Sequence, residues 1–191
     1  MQIIDYKLLS KAIKYYKKKG FTQIEVPWRV SAEAINATFD SNLSFKAGDK
    51  FLIGSAEQGF LELILQNNLK NNMLMSISPC FRNDAEDELH QQEFVKLELI
   101  YLSKFNISNT DIEYIAFSNF VIDFITKKLK IQRERIQIVQ TFENSIYSED
   151  ILIDGIEYGS YGIRKFKDYN YIYGTGIALP RASIILEKEI K

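Results

Sequence analysis

Apolar residues three and four apart recur from residue 5 to residue 19, where Leu8, Leu9, Ala12, Ile13 and Tyr16 share one face. Lys14, Lys17, Lys18 and Lys19 crowd the C-terminal end of this predicted helix, where cations suit the helix dipole, and Gly20 marks its stop. The period then drops to two over residues 21–26, a strand that Pro27 ends or places at an edge. A short helix is predicted over 31–37 and a polar loop over 40–50. Residues 51–53 read as a short strand, and Gly54-Ser55 as a turn capping a helix over 56–66. Residues 73–78 and 94–102 read as strands on either side of an acidic loop. Residues 111–129 carry Ile112, Ile115, Ala116, Phe120, Ile122, Phe124 and Ile125 at helical spacing. Strands are expected over 136–140, 151–153, 157–164 and 169–174. The glycine segment that follows reads by itself as a turn, leading to a helix over 181–191.

Clustered strands with helices between and beside them predict an α+β fold, with an antiparallel-rich sheet flanked by helices rather than a doubly wound parallel sheet. A length of 191 residues suggests one domain, 1–191, and 46% hydrophobic residues suffice for a substantial core. Three Pro and nine Gly argue against a linker-rich chain. With 24 basic and 25 acidic side chains the net charge is -1, which provides no global attraction to nucleic acid. The lysines near residue 19 therefore read as a solvated helix end. A single cysteine, Cys80, excludes an internal disulfide and a multi-cysteine zinc site, and fits a small buried apolar side chain. A single histidine, His90, excludes a histidine-based metal cluster and leaves none spare for a Ser-His or Cys-His pair. There is no apolar signal region at the start and no run near the ~20 apolar residues that span a bilayer. The expectation is a soluble, cytoplasmic protein with no membrane association.

Candidate chemistry gathers in two places. Pro79-Cys80-Phe81-Arg82-Asn83-Asp84 ends one predicted strand; after a loop with His90, Glu93-Phe94-Val95-Lys96-Leu97-Glu98 begins the next. Such a hairpin suits a nucleotide: Arg82 for a phosphate, Phe94 for a flat base, the loop for the phosphate tail. Far along the chain, Gly174-Thr175-Gly176-Ile177-Ala178-Leu179-Pro180-Arg181 supplies a second arginine behind small residues. Each residue has a plainer reading. Arg82 and Arg181 suit surface ion pairs, Phe94 suits the core, His90 an exposed loop, and Glu57 the first turn of a helix.

In this order the segments resemble the catalytic core of the class II aminoacyl-tRNA synthetases. Gly20-Phe21 through Val26-Pro27, after a helix, resembles the first motif; Arg82 through Glu98 the second; Gly174 through Arg181 the third. The second motif is most similar to the phenylalanyl and pyrrolysyl branch. Gly54-Ser55-Ala56-Glu57 resembles instead the small-x-Glu turn of the seryl, prolyl and glycyl types, so the amino acid stays open. The resemblance implies ATP-dependent activation of an amino acid as its adenylate, with ATP and Mg2+ as cofactors. Arg82, Asp84, His90, Phe94 and Arg181 would bind ATP, with Arg82 and Arg181 as the catalytic pair. Glu57, Ser160 and Gly176 would meet the amino acid, within walls that include Tyr158, Tyr161 and Gly162. Glu157 and Glu98 would hold the metal, although Glu143, Glu149, Asp150 and Asp154 lie near Glu157 in the chain. It further implies a bare catalytic domain with no anticodon-binding domain and a homodimer with residues 5–30 at the seam. The acyl acceptor would be tRNA or a non-tRNA acceptor such as a carrier protein. The alternative reading is a non-catalytic paralogue acting as a regulatory or binding subunit.

Overall fold

The computed structural model describes residues 4–39, 43–69, 71–83, 86–108, 111–143 and 146–187. Helix α1 (Tyr6–Lys18) begins at Asp5, whose Oδ1 accepts the Leu8 amide at 2.9 Å, and buries Leu8, Leu9, Ala12, Tyr15 and Tyr16. Gly20 follows at φ 99°, a conformation that costs glycine little. The alternation after it forms only a two-residue strand, β1 (Thr22–Gln23), because the segment then leaves the sheet for Pro27. Strand β2 (Arg29–Val30) leads to helix α2 (Ala32–Asn36), capped by Ser31. Within the expected loop, β3 (Lys46–Ala47) and β4 (Lys50–Leu52) form a hairpin, and with β2 they make a three-stranded sheet.

Helix α3 (Ala56–Leu65) starts with a capping box between Ser55 and Gln58. Strands β5 (Met73–Phe81) and β6 (Glu93–Ser103) both run farther than their apolar cores predict, so that Arg82 sits at the lip of the sheet. Helix α4 (Ile112–Asp123) passes into a π-helical turn, Phe124–Lys128. Strands β7 (Ile136–Glu143), β8 (Ile146–Ile153), β9 (Ile156–Phe166) and β10 (Tyr169–Leu179) complete the sheet before helix α5 (Arg181–Glu187). The glycine segment is thus not a turn: Gly174 and Gly176 lie inside β10.

The main sheet has the order β1-β5-β6-β10-β9-β8-β7, antiparallel except for the β1–β5 pair. Its two faces bury separate apolar clusters. On one, α1, α4 and α5 cover Leu97, Leu99, Tyr158, Tyr161 and Ile172. On the other, α2 and α3 cover Leu74, Ile100, Leu102, Tyr171 and Tyr173. Burying a side chain such as Phe60 or Leu61 of α3 contributes about 1.5–3 kcal/mol. Among the described residues no helix is long and apolar enough to cross a membrane.

Helix α3 lies close against the chain after β1, because Gly59 has no side chain. A Cβ there would stand 2.7 Å from Val26 Cβ and 3.0 Å from the Pro27 carbonyl oxygen. Gly59→Ala is expected to lower the unfolding free energy by about 1–3 kcal/mol through overpacking. Urea denaturation measures it; an unchanged midpoint and slope would contradict this packing.

Candidate active site

Two bulges open the floor of a cleft on the α3 side of the sheet. On β10 the pairing with β6 steps from Thr175–Glu98 to Ile177–Leu97, leaving Gly176 as the extra residue. On β9 the pairing with β8 steps from Ile151–Gly159 to Leu152–Glu157, leaving Tyr158 as the extra residue. The Tyr158 hydroxyl donates to the Gly176 carbonyl at 2.8 Å, tying one bulge to the other. Bulges bend strands and re-aim side chains. Here Glu157, Ser160, Thr175 and Arg181 come to line one cleft of about 340 Å³ with Arg82, His90, Phe94 and Lys96.

Arg82 is oriented by the start of α3. Its Nε donates to the Gly54 carbonyl at 2.9 Å, and its guanidinium lies 5.4 Å from the Phe94 ring centroid and 5.6 Å from that of Phe39. Gly54 and Ser55 donate their amides to Gln58 Oε1, both at 2.9 Å. Arg181 faces the same cleft; its Nη1 lies 2.9 Å from Glu157 Oε1 and donates to the Glu157 carbonyl at 3.2 Å. Ser160 hydrogen-bonds Asp150 and Tyr173. His90 is exposed at the cleft mouth, with Nδ1 2.8 Å from Asp87 Oδ2. Asp84 lies outside the described residues.

Three expected ligand-binding residues are engaged elsewhere. Glu98 was expected at a metal ion, but it is buried and all its bonds go to the chain. Oε2 accepts from the Ser55 hydroxyl and, at 3.1 Å, from the Glu57 amide; Oε1 accepts from Lys96 Nζ at 2.6 Å. Burial by itself raises the Glu98 carboxyl, yet the charge and hydrogen bond of Lys96, the Ser55 hydroxyl and Arg82 hold it below the usual 4.5. Glu57 was expected to receive an ammonium. Instead Arg164 Nη1 holds both of its oxygens at 2.8 Å and the Tyr171 hydroxyl donates to one at 2.9 Å, while Arg164 stacks 4.1 Å from the Tyr173 ring centroid. Gly176 was expected at the amino acid. A side chain there would run into Leu97, and its carbonyl accepts from the Tyr16 and Tyr158 hydroxyls. Of the expected walls, Tyr161 is buried in the opposite face, with its hydroxyl on the Thr175 carbonyl. Cys80 is buried as expected, its thiol pushed up to about 12 by burial and by Glu98.

No group of three metal-ligating side chains occurs among the described residues. Mg2+ needs only one or two carboxylates when phosphates and waters complete its shell. Glu157, 42% exposed at the cleft, fits that requirement with the Ser160 hydroxyl beside it; Glu98 does not. Sequence reasoning missed Lys96 and Arg164. The signal for Lys96 was its i, i+2 spacing to Glu98, which puts both on one face of a strand. Arg164 carried no local signal, since its partner Glu57 is remote in the chain.

A family model described as tRNA synthetases class II (D, K and N) matches residues 2–170, and the chain belongs to that family. Its sheet and flanking helices are the class II catalytic fold. Among solved structures, two of pyrrolysyl-tRNA synthetase from Desulfitobacterium hafniense superpose with TM-scores of 0.73 and 0.74 at 18% and 17% identity. Each covers 95% of this chain, and the chain spans 66% and 69% of them. Seryl-tRNA synthetase from Pyrococcus horikoshii, complexed with ATP, superposes with a TM-score of 0.72 at 18% identity, over 95% of this chain and 49% of its own. A search of curated proteins gave no match.

Removing the charge of Glu98 separates its burial from its ion pair. Glu98→Gln is expected to cost about 3–5 kcal/mol of stability near neutral pH, because Lys96 is left as an unpaired, nearly buried cation. Folded Glu98 binds its proton more weakly than unfolded Glu98. Its contribution is therefore complete above about pH 4.5 and is lost as pH falls through the lower folded value. Urea titrations at a series of pH values should show the gap between wild type and variant closing below pH 4.5; a gap that does not vary with pH would contradict the pairing.

Proposed function

We propose that this chain activates a carboxylic acid with ATP, an amino acid in its family's usual case, and passes the acyl group to an acceptor. A carboxylate oxygen attacks the α-phosphorus, the bond from that phosphorus to the bridging oxygen breaks, and pyrophosphate leaves an acyl-adenylate behind. Both reactants are anions, so the task is positioning and charge neutralisation, with no covalent nucleophile. The observation that carries the reading is that Arg82 and Arg181, far apart in sequence, line one cleft with Phe94 between strands opened by paired bulges.

In this reading Arg82 grips the α-phosphate and the incoming carboxylate, which suits a guanidinium already oriented by the Gly54 carbonyl. Adenine stacks between Phe94 and Arg181. His90 reaches the terminal phosphate. Glu157 with Ser160 would hold Mg2+, which when bound neutralises phosphate charge. The family's description narrows the first acids to test to aspartate, lysine and asparagine. The acceptor is tRNA or a carrier protein. A homodimer with residues 5–30 at the seam belongs to the same proposal; the groove lined by Val26, Pro27, Trp28, Leu52 and Phe81, with Trp28 48% exposed, supports it.

Two substitutions test the cleft. Arg82→Ala is expected to abolish acid-dependent exchange of pyrophosphate into ATP while the circular dichroism spectrum and unfolding transition persist; exchange at the wild-type rate would remove Arg82 from the site. Phe94→Ala is expected to weaken ATP binding by about 1–3 kcal/mol, read by calorimetry; an unaltered dissociation constant would return Phe94 to packing alone.

A further inference from the structure

The floor of the cleft is built around one strand. On the α3 face of the sheet β6 presents Phe94, Lys96 and Glu98 in turn, in step with Ile100, since alternate residues of a strand share a face. The residues that pair with Lys96 are small on both sides, Ser78 on β5 and Ala178 on β10. Lys96 therefore stands in a trough, and it lines the cleft together with Ala178, Thr175 and Ser160.

Its charge is held but not used up. Lys96 is 12% exposed, and among the described residues its ammonium bonds Glu98 Oε1, at 2.6 Å. An ammonium has three N–H donors, so two are left to face the cleft. Glu98 also spends its charge on the Ser55 hydroxyl and the Glu57 amide, so Lys96 is only partly neutralised.

Position along the strand separates Lys96 from the two arginines. In the proposed activation adenine lies at Phe94 and Arg181, and the triphosphate runs out toward His90 at the mouth. Lys96 is two residues inward of Phe94, about 7 Å along the strand, on the side away from the mouth. The attacking and leaving oxygens of the displacement are in line, on opposite sides of the phosphorus. Pyrophosphate leaves toward the mouth, so the acid approaches from the inner side, where Lys96 stands.

We infer that Lys96 is a further catalytic residue: its ammonium, with Arg82, holds the carboxylate of the incoming amino acid in line with the α-phosphorus. This rests on the activation reading and adds a residue to it. The step is unchanged. A carboxylate oxygen bonds to the α-phosphorus, pyrophosphate departs, and Lys96 stays an ammonium throughout, its contribution being a charge-assisted hydrogen bond that positions one anion against another.

The test uses the full chain. The common amino acids are screened by exchange of pyrophosphate into ATP, and the best of them is compared with its amino alcohol, which keeps the ammonium and side chain but has no carboxylate. Lys96→Gln keeps an N–H for Glu98 and loses the charge. It is expected to raise the KM of the amino acid about tenfold or more, while the ATP dissociation constant and the inhibition constant of the amino alcohol each change less than about twofold. A purely structural Lys96 would weaken amino acid and amino alcohol together. That parallel loss, or an unchanged KM, overturns the role of Lys96 and leaves activation standing. Should Lys96→Gln not fold, Lys96→Met combined with Glu98→Gln removes both charges of the pair, and the same selective loss is expected of it. Wild-type exchange with none of the amino acids overturns the activation reading itself, and the role of Lys96 with it.

Discussion

The buried carboxylate of Glu98 is the contact on which the working face of this protein depends. It draws in the Ser55 hydroxyl, the Glu57 amide and the Lys96 ammonium, and so fixes the start of α3 to the middle of the sheet. An anion at a helix N-terminus is favourable on dipole grounds, and here it is also fully hydrogen-bonded, which a buried charge requires. The same turn sets Arg82, because the Gly54 carbonyl that accepts from its Nε is held by the Gln58 cap. A side chain expected to bind metal thus builds the frame that aims an arginine.

The opposite wall is made by backbone irregularity. One extra residue on β10 and one on β9 let the strands part beyond Gly174–Tyr161, the last pair between them. Close approach elsewhere compensates: a side chain on Gly159 would collide with Thr175, and one on Gly174 with Tyr161. The glycines of the C-terminal segment serve strand packing at a bulge, and Arg181 emerges where β10 ends.

Much of the fold was legible from period alone. The amphipathic stripe of α1, the Ser55 cap of α3 and the apolar runs of β5 and β6 each announce themselves locally. The strand ends were not, since Pro79 to Phe81 pair with Glu93 to Val95 through the register of the hairpin and not through their own polarity. The glycine segment was misread for a related reason: Gly inside a strand marks a bulge only once its partners are known. Within the site, Arg82, His90, Phe94, Glu157, Ser160 and Arg181 were named from order and spacing and do line one cleft. Glu57, Glu98 and Gly176 were drawn away by partners remote in the chain, Arg164 at 107 residues from Glu57 and Tyr16 at 160 from Gly176. Sequence shows which charges exist, and the fold decides which are already matched.

In the proposed activation, two arginines from distant segments close on one ATP molecule. A crystal structure of the protein with a non-hydrolysable ATP analogue tests it most directly. The expected result is the α-phosphate on Arg82 and the adenine ring between Phe94 and Arg181. An analogue bound away from this cleft, or seated there without touching both guanidinium groups, would contradict it.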